Sequence, residues 1–381
     1  MVPRMSLSDR DMITSPAHSL LIYQTDNTPG YYYNAGTPVA PQWTMLESNQ
    51  SLLLKLGRTP ISSIPFTISQ PGSYYLTQNL SGTSGITISA SNVHIDLNGN
   101  ALSGTAGNTV AGIGYSGTIS NITITNGFIT NWGKEGINLS ASSAVSLSDI
   151  VVSGNGLDGI YSGNKTIVTR IIAHDNGSDG IDLGESSTIE NSVAEDNVND
   201  GIELDHGGII KNCVAKSNMG IGFRTTNFAV LTECTSQSNT SHGFSTGTGS
   251  NIYKCNAKSN GQNGFFILSS SQLGDNVSNL NSTNGYQISG NDCILKNNHA
   301  QGNTLSGFLT TFNRNQFIEN TANFNSAHGF NISGSGSLLI RNTAGSNTTG
   351  AFTVSAGNIT GTVLTSATIN SNTNPNANIS F

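Results

Sequence analysis

Acidic side chains are sparse in this 381-residue chain, 22 Asp and Glu in all, yet Asp179, Asp182, Asp200, Glu203 and Asp205 crowd into one short stretch. Their spacing says more than their number. Asp179 and Asp200 lie 21 residues apart, as do Asp182 and Glu203, and Arg224 follows Glu203 by a further 21. In a chain that closes one turn every 21 residues, such pairs become neighbours on one surface, with Tyr161 one turn earlier and His206 beside Asp205. Carboxylates stacked about 5 Å apart repel, so one of them holds a proton, the state a general acid needs while its neighbour serves as base or nucleophile. Glu203, Asp182 and Arg224 then form a candidate catalytic set, with Asp179, Asp200, Asp205, His206 and Tyr161 as candidate substrate contacts. The same oxygens also suit Ca²⁺, which gathers several carboxylates. Asp182, Glu203 and Asp205 are its candidate ligands, with Arg224 as the cation beside an acidic sugar. A third reading needs no ligand. Asp158, Asp179 and Asp200 each precede a Gly, which is good turn chemistry, and a Glu203–Arg224 surface pair is worth under about 1 kcal/mol.

What must position these residues is a repeat. Asn155, Asn176, Asn197, Asn218, Asn239, Asn260 and Asn281 recur every 21 residues, and Asn303, Asn325 and Asn347 continue the series every 22. Four residues after nearly every Asn stands a Gly, from Gly159 to Gly329, the residue type expected where φ turns positive at a corner. A large apolar residue follows it: Ile160, Ile181, Ile202, Phe223, Phe244, Phe265, Tyr286, Phe308 and Phe330. Alternation along a strand then points Tyr161, Asp182, Glu203, Arg224, Ser245 and Phe266 outward. Before each Asn, columns at three residues (Ala194, Ala215), five (Cys213, Cys234, Cys255, then Asn276, Asn298, Asn320, Asn342) and eight (Ile210, Leu231, Ile252) read as interior ladders. The Cys residues fit as buried free thiols. Four residues before each Asn, Val151, Ile172, Val193, Val214 and Val277 make an outward apolar stripe of the kind found at interfaces. The fold class is therefore all-β: a right-handed parallel β-helix of about 12 to 13 coils, each of about 21 residues.

Net charge is −7, and the 15 Lys and Arg do not cluster, so no footprint for nucleic acid is visible. No apolar run is long enough to span a membrane, and Met1-Val2-Pro3-Arg4-Met5 lacks the apolar core of a signal peptide. With no C-x-x-C pair among four Cys, neither a disulfide framework nor a zinc knuckle is indicated.

Pro65-Phe66-Thr67-Ile68, Tyr74-Tyr75-Leu76 and Ser91-Asn92-Val93-His94-Ile95-Asp96-Leu97-Asn98-Gly99 resemble the opening coils of the pectate-lyase-like β-helix superfamily. With the repeats, that resemblance covers residues 60–355. It implies the fold, but not one activity, because the superfamily includes lyases, hydrolases, epimerases, tailspikes and non-catalytic adhesins. Its lyases use acidic Ca²⁺ clusters with a basic residue, but their motifs are not matched here. Neither the polygalacturonase set nor the Asp-Pro-His element of alginate epimerases is present. Residues 1–50, with Asp9-Arg10-Asp11, Leu20-Leu21-Ile22-Tyr23, Tyr31-Tyr32-Tyr33-Asn34 and Trp43, resemble a module of bacterial surface proteins and phage tail fibres, which implies a homotrimer. Residues 356–381 are expected to form a C-terminal cap. The expectation is an extracellular, cell-surface or virion-associated fibre protein that binds or displays toward a glycan. The alternative is a polysaccharide lyase, hydrolase or epimerase acting through the acidic patch.

Overall fold

The computed structural model describes residues 2–46, 57–371 and 373–381. Residues 47–50 of the N-terminal segment lie outside the described residues. The chain divides into two compact units, Met1–Pro60 and Ile61–Phe381. In the first, strands Arg4–Met5, Leu21–Gln24, Gly30–Asn34 and Trp43–Met45 form one sheet. A short helix, Leu7–Asp11, is capped by Ser6, whose hydroxyl accepts from the Asp9 amide. The Arg10 guanidinium lies 5.2 Å from the Tyr32 ring and 5.9 Å from that of Trp43.

The second unit is a solenoid of parallel strands. One ladder of 14 strands runs from Phe66–Ile68 to Gly350–Val354. Its register pairs Ile160 with Ile181, Ile181 with Ile202, and Ile202 with Phe223, each 21 residues on. From Tyr286 onward the step is 22. The early coils are uneven: Phe66 pairs with Ile86, Ile86 with Ile113, Ile113 with Ile137 and Ile137 with Ile160. A fixed period therefore shows fewer coils than the ladder contains. The rest of the coil is one long strand in three early coils, Ser120–Thr130, Ser143–Ser153 and Ile167–His174, and two short strands in later ones, exemplified by Ile209–Lys211 and Val214–Lys216, joined at a bend where Asn212 takes φ +51°.

The predicted interior columns are buried. Phe223, Phe244, Phe265, Tyr286, Phe308, Phe330 and Phe352 form a continuous stack with neighbouring centroids 4.7–5.0 Å apart and planes within 7° of parallel. The spacing is that of the strands themselves, so each ring covers its neighbour's face and no coil buries its apolar surface alone. The four thiols are free and buried. Burial pushes Cys213 up to about 12 and Cys293 to about 11, so neither is a reactive thiolate near neutrality.

The repeating Asn used to align the coils is itself a buried ladder. From Asn155 to Asn347 each side-chain amide donates to the carbonyl oxygen of the next at 2.9–3.1 Å. A second ladder links Asn276, Asn298, Asn320, Asn342 and Asn378. Strand Asn378–Ser380 thus closes the series and pairs with Thr343–Gly345.

The glycine column needs a different explanation from the one its type suggests. None of the glycines from Gly159 to Gly329 at that position has positive φ; left-handed backbone falls elsewhere, for instance at Asp196 and Ser217 just before the ladder Asn. What the position cannot hold is a Cβ. Built on Gly201, that atom would stand 2.6 Å from Asn218 Nδ2, 2.8 Å from the Gly222 oxygen and 2.9 Å from Ala215 Cβ. Gly here, and Ala or Ser three residues before each Asn from Asn176 onward, let successive coils close onto the amide ladder.

Candidate functional site

Strands Ile160–Ser162, Ile181–Leu183, Ile202–Leu204, Phe223–Thr225, Phe244–Thr246 and Phe265–Ile267 carry the candidate site. Their first residues are buried in the stacked core, so the middle residue of each faces out. The register sets Tyr161 against Asp182, Asp182 against Glu203, Glu203 against Arg224, Arg224 against Ser245, and Ser245 against Phe266.

A second acidic row lies at the start of these strands. Asp158 Oδ1 accepts the Asp179 amide at 2.9 Å, Asp179 Oδ1 accepts the Asp200 amide at 2.7 Å, and Asp200 Oδ1 accepts the Ile221 amide at 2.6 Å. Each carboxyl thus satisfies a peptide donor one coil on, and Asp179 and Asp200 are only 6% and 3% exposed. Carboxyl oxygens of Asp179, Asp200 and Glu203 lie within 4.8 Å of one another. Arg224 Nη1 sits 3.3 Å from Glu203 Oε2 and 3.5 Å from Asp200 Oδ2.

Burial, with crowding behind it, raises the pKa values of Asp179, Asp182 and Glu203. Burial pushes Asp182 up to about 8, reinforced by Glu203, Asp158, Asp179 and Asp205. Asp179 rises to about 7, also mainly through burial, against the opposing hydrogen bond from the Asp200 amide. Burial raises Glu203 too, but Arg224 opposes it. At the edge, Tyr161 is raised by burial and then by Asp182, Asp158 and Asp205. The cluster can hold a proton near neutrality while keeping charge next to Arg224.

The structure brings together Asp179, Asp182, Asp200, Glu203 and Arg224, with Tyr161 and Asp205 at the margin. His206 instead packs against Phe228, ring centroids 5.1 Å apart and planes at 70°. The oxygen trio that gathers is Asp179, Asp200 and Glu203, not Asp182, Glu203 and Asp205. The Asp200 carboxyl is drawn beside Glu203 by its role in the peptide ladder, whereas Asp205 stands on an exposed turn. Arg224 already supplies positive charge to two members of that trio. Two features escaped sequence reasoning. Glu135, before Gly136 as Asp158 is before Gly159, is 7% exposed, and its Oε2 has no hydrogen-bond partner among the described residues. The His242 ring stacks on Phe266 at 5.0 Å and 13°. His242 follows Asp200 by two periods, which was the available signal; the ring contact itself was not legible.

Residues 76–227 match the family model described as right handed beta helix region. The second unit is a right-handed parallel β-helix. Residues 1–59 match the family model described as phage tail like trimerisation region. Among solved structures, the β-helix is similar to the A-module of the Azotobacter vinelandii mannuronan C-5 epimerase AlgE4, at 14% identity and a TM-score of 0.54, covering 76% of this chain and 91% of that one. The AlgE6 A-module of the same organism gives 14% identity and 0.42, covering 87% and 93%. The catalytic domain of a GH87 α-1,3-glucanase in complex with nigerose gives 11% and 0.39, covering 85% and 62%. At such identities the likeness concerns the β-helix fold. No curated protein matches the chain. Among the described residues no helix is long and apolar enough to cross a membrane.

Proposed function

We propose that this is an extracellular or virion-associated fibre protein that trimerises through its N-terminal unit and binds a polysaccharide along the outer face of the 14-stranded ladder. The observation that carries the reading is the in-register column from Tyr161 through Asp182, Glu203 and Arg224 to Phe266. Rings stand at both ends of a run of hydrogen-bonding groups: Tyr161 is 37% exposed, and the stacked pair His242–Phe266 lies four to five coils beyond it on the same face. Aromatic faces for the C–H surface of a sugar, flanking polar groups that fix its hydroxyls, are the make-up of a glycan cleft. Acids outnumber the one Arg, which favours a neutral glycan over a uronate polymer. The match of residues 1–59 to a trimerisation region supports the trimer.

A second reading, catalysis, is favoured by one observation: Asp182, raised to about 8, is in register with Glu203, which Arg224 contacts. A proton donor beside a charge-stabilised carboxylate is what glycoside cleavage needs. Both readings are tested by incubating the full chain with neutral and uronate polysaccharides, with and without Ca²⁺, while following binding, unsaturated products and new reducing ends. Binding of a neutral polymer without products, weakened in Arg224→Ala and Glu203→Gln, is expected. Turnover lost in Asp182→Asn and Glu203→Gln would replace binding by catalysis, and no binding to any polymer would overturn both readings.

A further inference from the structure

On a different sheet of the coil, Tyr253, Gly274 and Lys296 are consecutive neighbours in register. All three stand at outward positions, but Gly274 has no side chain to project. A Cβ placed there would stand 2.6 Å from Tyr253 Cε1 and 2.7 Å from Cδ1, so the tyrosine ring occupies the space that a side chain at 274 would take. The Tyr253 hydroxyl donates to Gln272 Oε1 at 3.2 Å, pinning the ring across the neighbouring strand, and the residue remains 36% exposed. An aromatic ring laid along a sheet and wet on its outer face forms a platform.

That platform borders a cleft of about 440 Å³ lined also by Gln272, Asp275, Lys296, Asn297 and Glu319. Asp275, Asn297 and Glu319 belong to the bend column, with φ +56°, +59° and +58°, which places them at the rim between two strands. Asn297 donates to Asp275, and Lys296 lies 3.8 Å from Glu319. The rim therefore presents amide, carboxylate and ammonium groups that are already held in place, and Glu319 also meets Arg341 Nε at 2.9 Å, so each of its oxygens faces a cation.

We propose that this cleft is a second saccharide site, separate from the acidic face, which takes one or two rings of a neutral glycan stacked on Tyr253. The volume lies in the small-ligand range of roughly 300–1,000 Å³. A pyranose presents an apolar C–H face to the ring and an equatorial fringe of hydroxyls to the rim, and both cations beside the rim, Lys296 and Arg341, are already paired with Glu319 rather than free for a uronate carboxylate. The residues share no position with the column around Glu203, so the two sites stand or fall separately.

The test uses the full chain and three probes, maltotriose, cellotriose and mannotriose, followed by ligand-observed saturation-transfer NMR and titration. At least one probe should bind the unaltered chain. Tyr253→Ala should weaken that binding about tenfold or more, Tyr253→Phe, which keeps the ring over Gly274, should leave it nearly unchanged, and Lys216→Ala, at an exposed position of neither site, should not affect it. Gly274→Val, which lifts the ring, should reproduce the loss, with thermal melting confirming that each variant is folded. Failure of all three probes to bind, or equal binding by Tyr253→Ala, would overturn the site. Binding lost in Arg224→Ala but kept in Tyr253→Ala would place it on the acidic face instead.

Discussion

Asp182 has no ionic partner of its own among the described residues and shares its surroundings with Asp158, Asp179, Glu203 and Asp205, Arg224 being engaged by Glu203 and Asp200. Its folded-state pKa of about 8 lies above the usual 3.8, and that of Asp179 is about 7. The folded chain therefore binds protons that the unfolded chain has released. The resulting stability is fully present below about pH 4 and is lost as pH rises through about 7 to 8. The thermal midpoint is expected to fall between about pH 5 and pH 8.5, and Asp182→Asn should flatten that fall. A slope of the opposite sign, or one unchanged in the variant, would refute the assignment. A second residue-scale expectation concerns Asn218. It accepts from both the side chain and the backbone of Asn197 and donates to Asn239. Asn218→Ala leaves the buried Asn197 backbone N–H without its acceptor, while Asn239 Oδ1 keeps the Asn218 backbone N–H, and should cost about 1–3 kcal/mol in urea unfolding. Asp-Gly pairs read from sequence as turn chemistry; that the same carboxyls satisfy peptide donors one coil on depends on the axial rise between coils, which no local pattern encodes.

Strand periodicity was legible because the two faces of each strand meet different solvents: core on one side, water on the other. The outward stripe shows where that logic thins. Ile172 is 41% exposed, while Val151, Val193, Val214 and Val277 are half-buried. The glycine column separates conformation from packing. Gly201→Ala drives a methyl into Asn218, the Gly222 carbonyl and Ala215, and should cost about 2–3 kcal/mol. Gly207 has φ +71° with nothing within 4 Å of a built Cβ, and Ser186 and Phe228 hold φ +56° and +59° at the same corner in adjacent coils. Gly207→Ala should therefore cost only about 1 kcal/mol. Paired denaturation curves check the difference, and equal costs would mean that the column serves backbone geometry after all. From one sequence the two kinds of glycine look alike, because the crowding atoms come from the next coil.

At the scale of the whole molecule, light scattering on the full chain should give the mass of three copies, and deletion of residues 1–60 should abolish that association. The second unit carries its own continuous core, so the deleted chain should keep its β-sheet circular dichroism. A full chain that remains a monomer at working concentration would remove the trimer. By itself the sequence determined the coil period, the buried columns, the outward order of Tyr161, Asp182, Glu203 and Arg224, and the character of the N-terminal segment. These follow from alternation and from identical residues recurring at one interval, both local or one-dimensional properties. Tertiary structure decided which oxygens gather around Arg224, how far burial raises Asp182, why the glycines are needed, that His206 turns away, and that Tyr253 lies across Gly274. Each of these depends on distances between atoms of successive coils, set by the 4.7–5.0 Å stacking of a solenoid whose turns touch only their neighbours.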